Sequence, residues 1–120
     1  MEDDRYRRLE VWQLAYRLAL NVYHVTARFP TTERYGLSQQ LRRAAVSVFS
    51  NIAEGHARGS RREYLQSCVI SRGSQTEVKS LLMLSHDLNF VGSQEWRNLD
   101  EGYTRVGQML NKLVVSLRNV

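Results

Sequence analysis

The sequence predicts an all-α protein, an antiparallel up-down four-helix bundle, and three observations carry that prediction. Apolar residues recur at helical spacing in four successive segments. The breaks between those segments are short and hold the proline, glycine and hydroxyl residues that end and start helices. A single proline and seven glycines in 120 residues leave little room for disorder or for the many turns of an all-β fold. A chain of this length is one domain with one core, residues 1–120, of which 1–5 are expected to be a disordered N-terminus.

The first segment, "YRRLEVWQLAYRLALNVYHVTARF", sets Leu9, Trp12, Tyr16, Ala19 and Tyr23 at helical spacing. Val11, Leu14, Ala15, Leu18, Val22 and Val25 widen that stripe into a broad apolar face. Pro30 ends it, because the residue before a proline avoids the α region. The connection "PTTERYGLS" offers Thr31, Thr32 and Ser38 as N-caps.

The second helix is expected over 37–57. At about 100° per residue, Leu41, Ala45, Val48 and Ile52 share one stripe. Val46, Phe49 and Ala53 form a second stripe beside it. Two apolar stripes are more than a peripheral helix needs and suggest neighbours on two sides, one of them from another subunit. Gln40, Ser47, Asn51, Glu54 and Arg58 fall on the remaining face.

The third helix has the clearest start. "GSRRE" places Ser60 three residues before Glu63, a capping box in which the hydroxyl accepts from the Glu63 amide and the carboxylate reaches back. Tyr64, Leu65, Cys68, Val69, Thr76, Val78, Leu81, Leu82 and Leu88 continue the pattern. Gly73, followed by "SQTE", leaves a kink or break open, although the apolar period carries through in phase and favours one long helix. "NFVGS" closes the segment, with Gly92 as the turn residue and Ser93 as cap of the fourth helix. Trp96, Leu99, Tyr103, Val106, Met109, Leu110, Leu113 and Leu117 form that last stripe.

The net charge of +5 is local. Between Arg34 and Arg62 stand six basic residues, Arg34, Arg42, Arg43, Arg58, Arg61 and Arg62, against Glu54 alone; the rest of the chain balances eleven against eleven. Such concentration favours an anionic partner, nucleic acid above all; the plainer reading is a solvated helix face. Arg58, Arg61 and Arg62 surround a helix start, whose free amides and dipole attract anions, so they read either as a phosphate grip or as a charged, well-capped loop. Tyr35 and Tyr64 are near enough to stack on bases, and packing explains each equally well.

Other chemistry leaves little trace. His24, His56 and His86 show no paired metal-ligand spacing, and Glu54 and His56 are too close in sequence for the Glu–x–x–His pair of di-metal bundles. Cys68, the single cysteine, lies on an apolar stripe as a core thiol and can form no internal disulfide, which fits a reducing cytoplasm. No apolar run approaches the roughly 20 residues of a membrane span, and "MEDDRYRR" is no secretory signal. No catalytic residue, metal or cofactor is expected. Gln40, Ser47, Asn51 and Glu54 read as a structural polar junction whose hydrogen bonds fix geometry.

"VWQLAYRLALNVYHVTARFP", "ERYGLSQQLRRAAVSVFSNIAEG", "SRREYLQS" and "SRGSQTEVKS" resemble, in order, the motifs of the bacterial four-helix-bundle family encoded by intervening sequences in 23S ribosomal RNA genes. The resemblance runs from about Leu9 to Phe90, and the fourth helix matches only in character. Phe49 stands where relatives often carry proline, so the second helix is expected to be straighter here. The resemblance implies an up-down bundle assembled as a ring-like homopentamer with a central channel. It also implies distant kinship to the accessory protein of diversity-generating retroelements, a basic pentamer that binds nucleic acid and a reverse transcriptase. It implies no enzyme.

The functional expectation is thus a non-enzymatic, cytoplasmic, oligomeric bundle that binds RNA or DNA through phosphate contacts, with little sequence preference. Arg42, Arg43, Arg58, Arg61 and Arg62 would carry it. The alternative is a protein–protein scaffold in which Arg42 and Arg43 are buried against Glu33, Glu54 or Glu63 of a neighbouring subunit. An enzyme would need a pocket lined by Glu54 or His56.

Overall fold

A computed structural model describes residues 4–119, and all regular structure among them is helical. A 3-10 turn at Arg5–Arg8 leads into α1 (Glu10–Thr26), a second 3-10 turn at Thr31–Glu33 precedes α2 (Leu37–Ala57), and α3 (Arg61–Asp87) and α4 (Ser93–Arg118) complete the chain. Of the disordered stretch expected at 1–5, residues 1–3 lie outside the described residues and Arg5 begins the first turn. The helices pack in a ring in chain order, α1 against α2, α2 against α3, α3 against α4 and α4 back on α1, so α1 and α3 are diagonal. The 46 Å long axis follows from helix length, since the 27 residues of α3 span about 40 Å at 1.5 Å each.

The core draws on every helix. Ala15 and Val22 from α1, Leu41, Ala45, Val48 and Ile52 from α2, Val78 and Leu82 from α3, and Tyr103, Val106 and Leu110 from α4 are all fully buried. Each large aliphatic side chain so placed contributes about 1.5–3 kcal/mol. The inner face of α3 differs from the stripe its sequence suggests. Thr76 is exposed and Leu88 is 47% exposed, while Ser67, Ser71, Gln75 and Ser85 point inward. Three of these polar groups find nearby acceptors: Ser71 Oγ donates to the Val48 carbonyl at 2.6 Å, Gln75 Nε2 to the Tyr103 carbonyl at 2.8 Å, and Ser85 Oγ to the Leu81 carbonyl at 2.7 Å.

Small side chains on this face let α2 approach α3 closely. At Gly55 an added Cβ would lie 2.4 Å from the Ser67 Cβ, so no other residue fits without separating the helices. Gly73 produces no break; α3 runs through it, and Ser74 bonds across to α2 instead of capping a second segment.

Three helix boundaries use other groups than the expected ones. None of Thr31, Thr32 and Ser38 caps α2: Gly36 holds the N-cap position, and the Glu33 carboxylate accepts from the Leu37 amide at 3.2 Å. Ser38 is buried in the first turn instead. At the end of α3 the left-handed residue is Asn89, φ 64°, not Gly92. Its amide bonds the His86 carbonyl and that of Phe90 bonds the Ser85 carbonyl, both at 2.9 Å, which is the Schellman arrangement. Gly92, φ −70°, is the N-cap of α4; Ser93 is its first residue, with Oγ 3.0 Å from His86 Nε2. Half of the expected capping box forms: Ser60 Oγ accepts from the Glu63 amide at 3.1 Å, while among the described residues the Glu63 carboxylate makes no bond back to Ser60.

The two glycines of the α2–α3 pair should respond to alanine in opposite directions. Gly55→Ala should lower the stability measured by urea denaturation by about 1–2 kcal/mol, because the clash outweighs the gain in helix propensity. Gly73→Ala should raise it by about 1 kcal/mol, since an added Cβ there meets nothing within 4 Å.

Candidate nucleic-acid interface

The connection from α1 to α2 builds a basic groove. Pro30 is extended, and the following 3-10 turn throws Arg34 and Tyr35 outward before α2 begins. Arg34, Tyr35, Gln39, Arg42, Arg43 and Val46, with Tyr23 of α1, then surround a surface groove of about 640 Å³ that continues to Ser47 and Ser50. Among the described residues three guanidinium groups line it, and no carboxylate does.

The neighbours Arg42 and Arg43 have different tasks. Arg42 is half-buried; its Nε donates to Thr26 Oγ1 at 2.7 Å and its Nη2 to the Tyr23 carbonyl at 3.2 Å. The guanidinium thus meets the carbonyl end of α1, where the helix dipole favours a cation. It also lies 4.5 Å from the centre of the Tyr23 ring, a cation–π contact of about 1 kcal/mol. Arg43, one residue on and rotated by about 100°, is exposed and has no partner among the described residues; the same holds for Arg34.

Arg58, Arg61 and Arg62 stand at the other end of α2, roughly 22 Å away by helix rise. Arg61 and Arg62 are exposed and without partners among the described residues. Arg58 Nη2 donates to Glu54 Oε1 at 2.6 Å. That hydrogen bond first, then the charges of Glu54 and Glu63, hold the Arg58 guanidinium above its ordinary value. Two carboxylates therefore temper this end, whereas among the described residues the groove has none. The five arginines fall into two clusters, not one.

The polar face of α2 divides similarly. Asn51 Nδ2 donates to the Ser47 carbonyl at 2.8 Å and to Ser47 Oγ at 3.0 Å, and Ser47 Oγ meets Ser74 Oγ at 2.8 Å, joining α2 to α3. Glu54 is outside this junction, on the surface with Arg58. Gln40 is exposed, while its neighbour Gln39 lines the groove.

A model of a protein family described as the 23S rRNA-intervening sequence protein matches residues 7–112. The chain belongs to that family. It is also similar in structure to a crystal structure from Bacteroides thetaiotaomicron described as a protein of unknown function from the S23 ribosomal protein family. The TM-score is 0.78 at 17% identity, over 87% of this chain and 97% of that one, a likeness of fold. No curated protein matches the chain. Within this chain the block "RRAAVSVFSNIAEG" is the body of α2. That helix is continuous through Phe49, whose ring packs edge-on against Trp12 and Tyr16 at 6.3 and 5.3 Å.

Two groove residues are left out of, or undecided in, the sequence reading of the site. Arg34 counts there only toward the charge excess, and Tyr35 stands beside Tyr64 as a ring that could stack on a base or equally well pack. The structure separates Tyr35 from Tyr64: Tyr64 packs against His56 at 5.4 Å with its hydroxyl buried, whereas Tyr35 is 83% exposed. The signal was the position of "RY" in a short connection directly before a helix start. Among the described residues no group of three or more His, Cys, Asp or Glu could hold a metal ion, and no helix is long and apolar enough to cross a membrane. Cys68 is fully buried.

Burial pushes the Cys68 thiol from an ordinary 9.0 up to about 11. A thiol ionising later in the folded chain than in the unfolded one supports folding below pH 9. That support is lost as pH rises toward 11. Stability should fall by about 2 kcal/mol from this group across the window, and Cys68→Ala should show a correspondingly shallower decline in urea titrations between pH 9 and 11.

Proposed function

We propose that this chain is a non-enzymatic oligomer that binds RNA or DNA through phosphate contacts in the groove between α1 and α2. The observation that carries this reading is the set of three guanidinium groups around a groove without a carboxylate. Arg42, held by Thr26 and Tyr23, gives the wall a fixed charge, and Arg34 and Arg43 are free to close on phosphate oxygens. Arginine suits that task because its planar fork can donate two parallel hydrogen bonds to one phosphate. Arg61 and Arg62 supply a second, weaker contact at the far end of α2. With no base-reading element in a groove of this kind, affinity depends on charge and therefore on salt.

Assembly as the homopentamer implied by the family resemblance is part of the proposal. A ring needs two different complementary patches on each subunit, because its contacts run head to tail. The chain exposes apolar side chains on two diagonal helices: Tyr16 and Leu20 on α1, and Ile70, Met83 and Leu84 on α3. A ring of five would repeat the local excess of +5 in each subunit, a strong attraction for polyanions at low salt. A cytoplasmic location is proposed on the single cysteine, which leaves no internal disulfide to form. A second reading is a protein scaffold or accessory subunit whose arginines serve subunit contacts; Arg42 and Arg58, already engaged within the chain, are less available to phosphate than Arg34 and Arg43.

The test is binding of nuclease-treated protein to labelled RNA and DNA across a salt series, with mass measured in parallel by light scattering. Binding should weaken steeply with salt. Arg34→Ala with Arg43→Ala should flatten the slope of log K against log salt by about 1.5–2 per site, and Arg61→Ala with Arg62→Ala by less. The mass should be five times 14.0 kDa, about 70 kDa, in all variants. No binding at low salt refutes the phosphate reading, and an assembly lost with Arg43 supports the scaffold.

A further inference from the structure

Resting on the phosphate-binding reading, we infer that the groove selects single-stranded nucleic acid, with the Tyr35 ring as a platform on which an unpaired base stacks. Tyr35 is the most exposed of the large hydrophobic side chains, at 83%, and it stands on the rim of the groove. No ring or cation lies against it among the described residues. Packing accounts for the other aromatics of this face: Trp12 and Tyr16 stack on each other at 5.0 Å, both meet Phe49, and Tyr23 is covered by Arg42. Tyr16 and Tyr23 are partly exposed, at 40% and 43%, but each has a ring or a guanidinium against it, and Tyr35 has neither.

Its backbone is held on both sides. The Arg34 amide bonds the Thr31 carbonyl at 3.2 Å, the Gly36 amide bonds the Glu33 carbonyl at 3.1 Å, and the Glu33 carboxylate takes the Leu37 amide. The ring is therefore presented from a fixed turn, with little ordering required on binding. Arg34 adjoins it in sequence, and Arg43 lines the same groove, so a base on Tyr35 brings its own backbone phosphate among guanidinium groups.

This arrangement distinguishes strand states. A duplex keeps its bases stacked inside and offers the groove only phosphates; the Tyr35 ring would meet no π-face. A single strand offers both groups, and aromatic stacking tolerates any base because every base has a π-face. The groove volume of about 640 Å³ is that of a small-ligand site, enough for a nucleotide or two.

The experiment measures the affinity of the full chain for labelled single strands of RNA and DNA of one mixed sequence and for the matching duplexes, at fixed low salt. The single strands should bind about tenfold more tightly than the duplexes. Tyr35→Ala should weaken single-strand binding by about tenfold and leave duplex binding unchanged, while Tyr35→Phe, which keeps the ring, should restore it. Comparing the RNA and DNA strands distinguishes the two sources of the same chemistry, a preference for RNA pointing to a 2′-hydroxyl contact. If the Arg34→Ala and Arg43→Ala protein loses binding but Tyr35→Ala affects both strand states equally or neither, the stacking inference falls and the phosphate reading stands. If no nucleic acid binds at low salt, both fall. If Tyr35→Ala instead changes the mass of the assembly, the ring is a subunit contact and the inference is overturned.

Discussion

The close approach of α2 to α3 is the constraint on which the rest of the arrangement depends. Leucine-lined helices pack with axes about 8–10 Å apart. Here Gly55 lies against Ser67, Ser71 reaches the Val48 carbonyl, and Ser47 meets Ser74, so small hydroxyl side chains replace large apolar ones along the contact. Hydroxyls in such a contact must find acceptors, and they find them only at one rotation and one register. The pairing therefore specifies geometry as well as holding the helices together. Aliphatic burial elsewhere, through Leu41, Ile52, Leu82 and Leu110, supplies most of the stabilisation.

That fixed rotation decides which arginine faces where. With Val48 and Ile52 inward, Arg42 falls beside the end of α1 and Arg43 points to solvent. Arg42 answers a need of the fold, since the carbonyls at the end of α1 want a cation and Thr26 and Tyr23 present acceptors for it. Having satisfied those groups, it is a stationary charge in the groove wall. Arg34 reaches the same groove by another route, through the turn that Pro30 and Glu33 shape. One end of the bundle thereby gathers guanidinium groups from a loop and a helix. At the other end Glu54 and Glu63 offset Arg58.

Much of this was readable from the chain. Four helices, the span of α2, the Ser60 cap and the continuous α3 follow from apolar period and capping chemistry. Those are local properties, set by residues within one or two turns of each other. The α3–α4 turn was less legible, because Gly92 is the obvious left-handed candidate and Asn89 the actual one; which residue takes that conformation depends on where α3 stops. The polar inner face of α3 was hidden for a different reason. Ser67, Ser71 and Gln75 read as surface residues unless the acceptors on α2 and α4 are known.

The sequence by itself determined the class of fold, the family and the sign and place of the charge excess, because each is carried by residue types and their spacing. Only the tertiary structure decided how that excess is distributed: two basic clusters where one run of arginines stands in the chain, Arg42 and Arg58 bound to neighbours, and Arg34, Arg43, Arg61 and Arg62 without partners among the described residues. It also decided that Tyr35 is open and Tyr64 packed. The physical reason is that a side chain's partners come from other helices. Arg42 meets α1 and Ser47 meets α3 only after the bundle has closed.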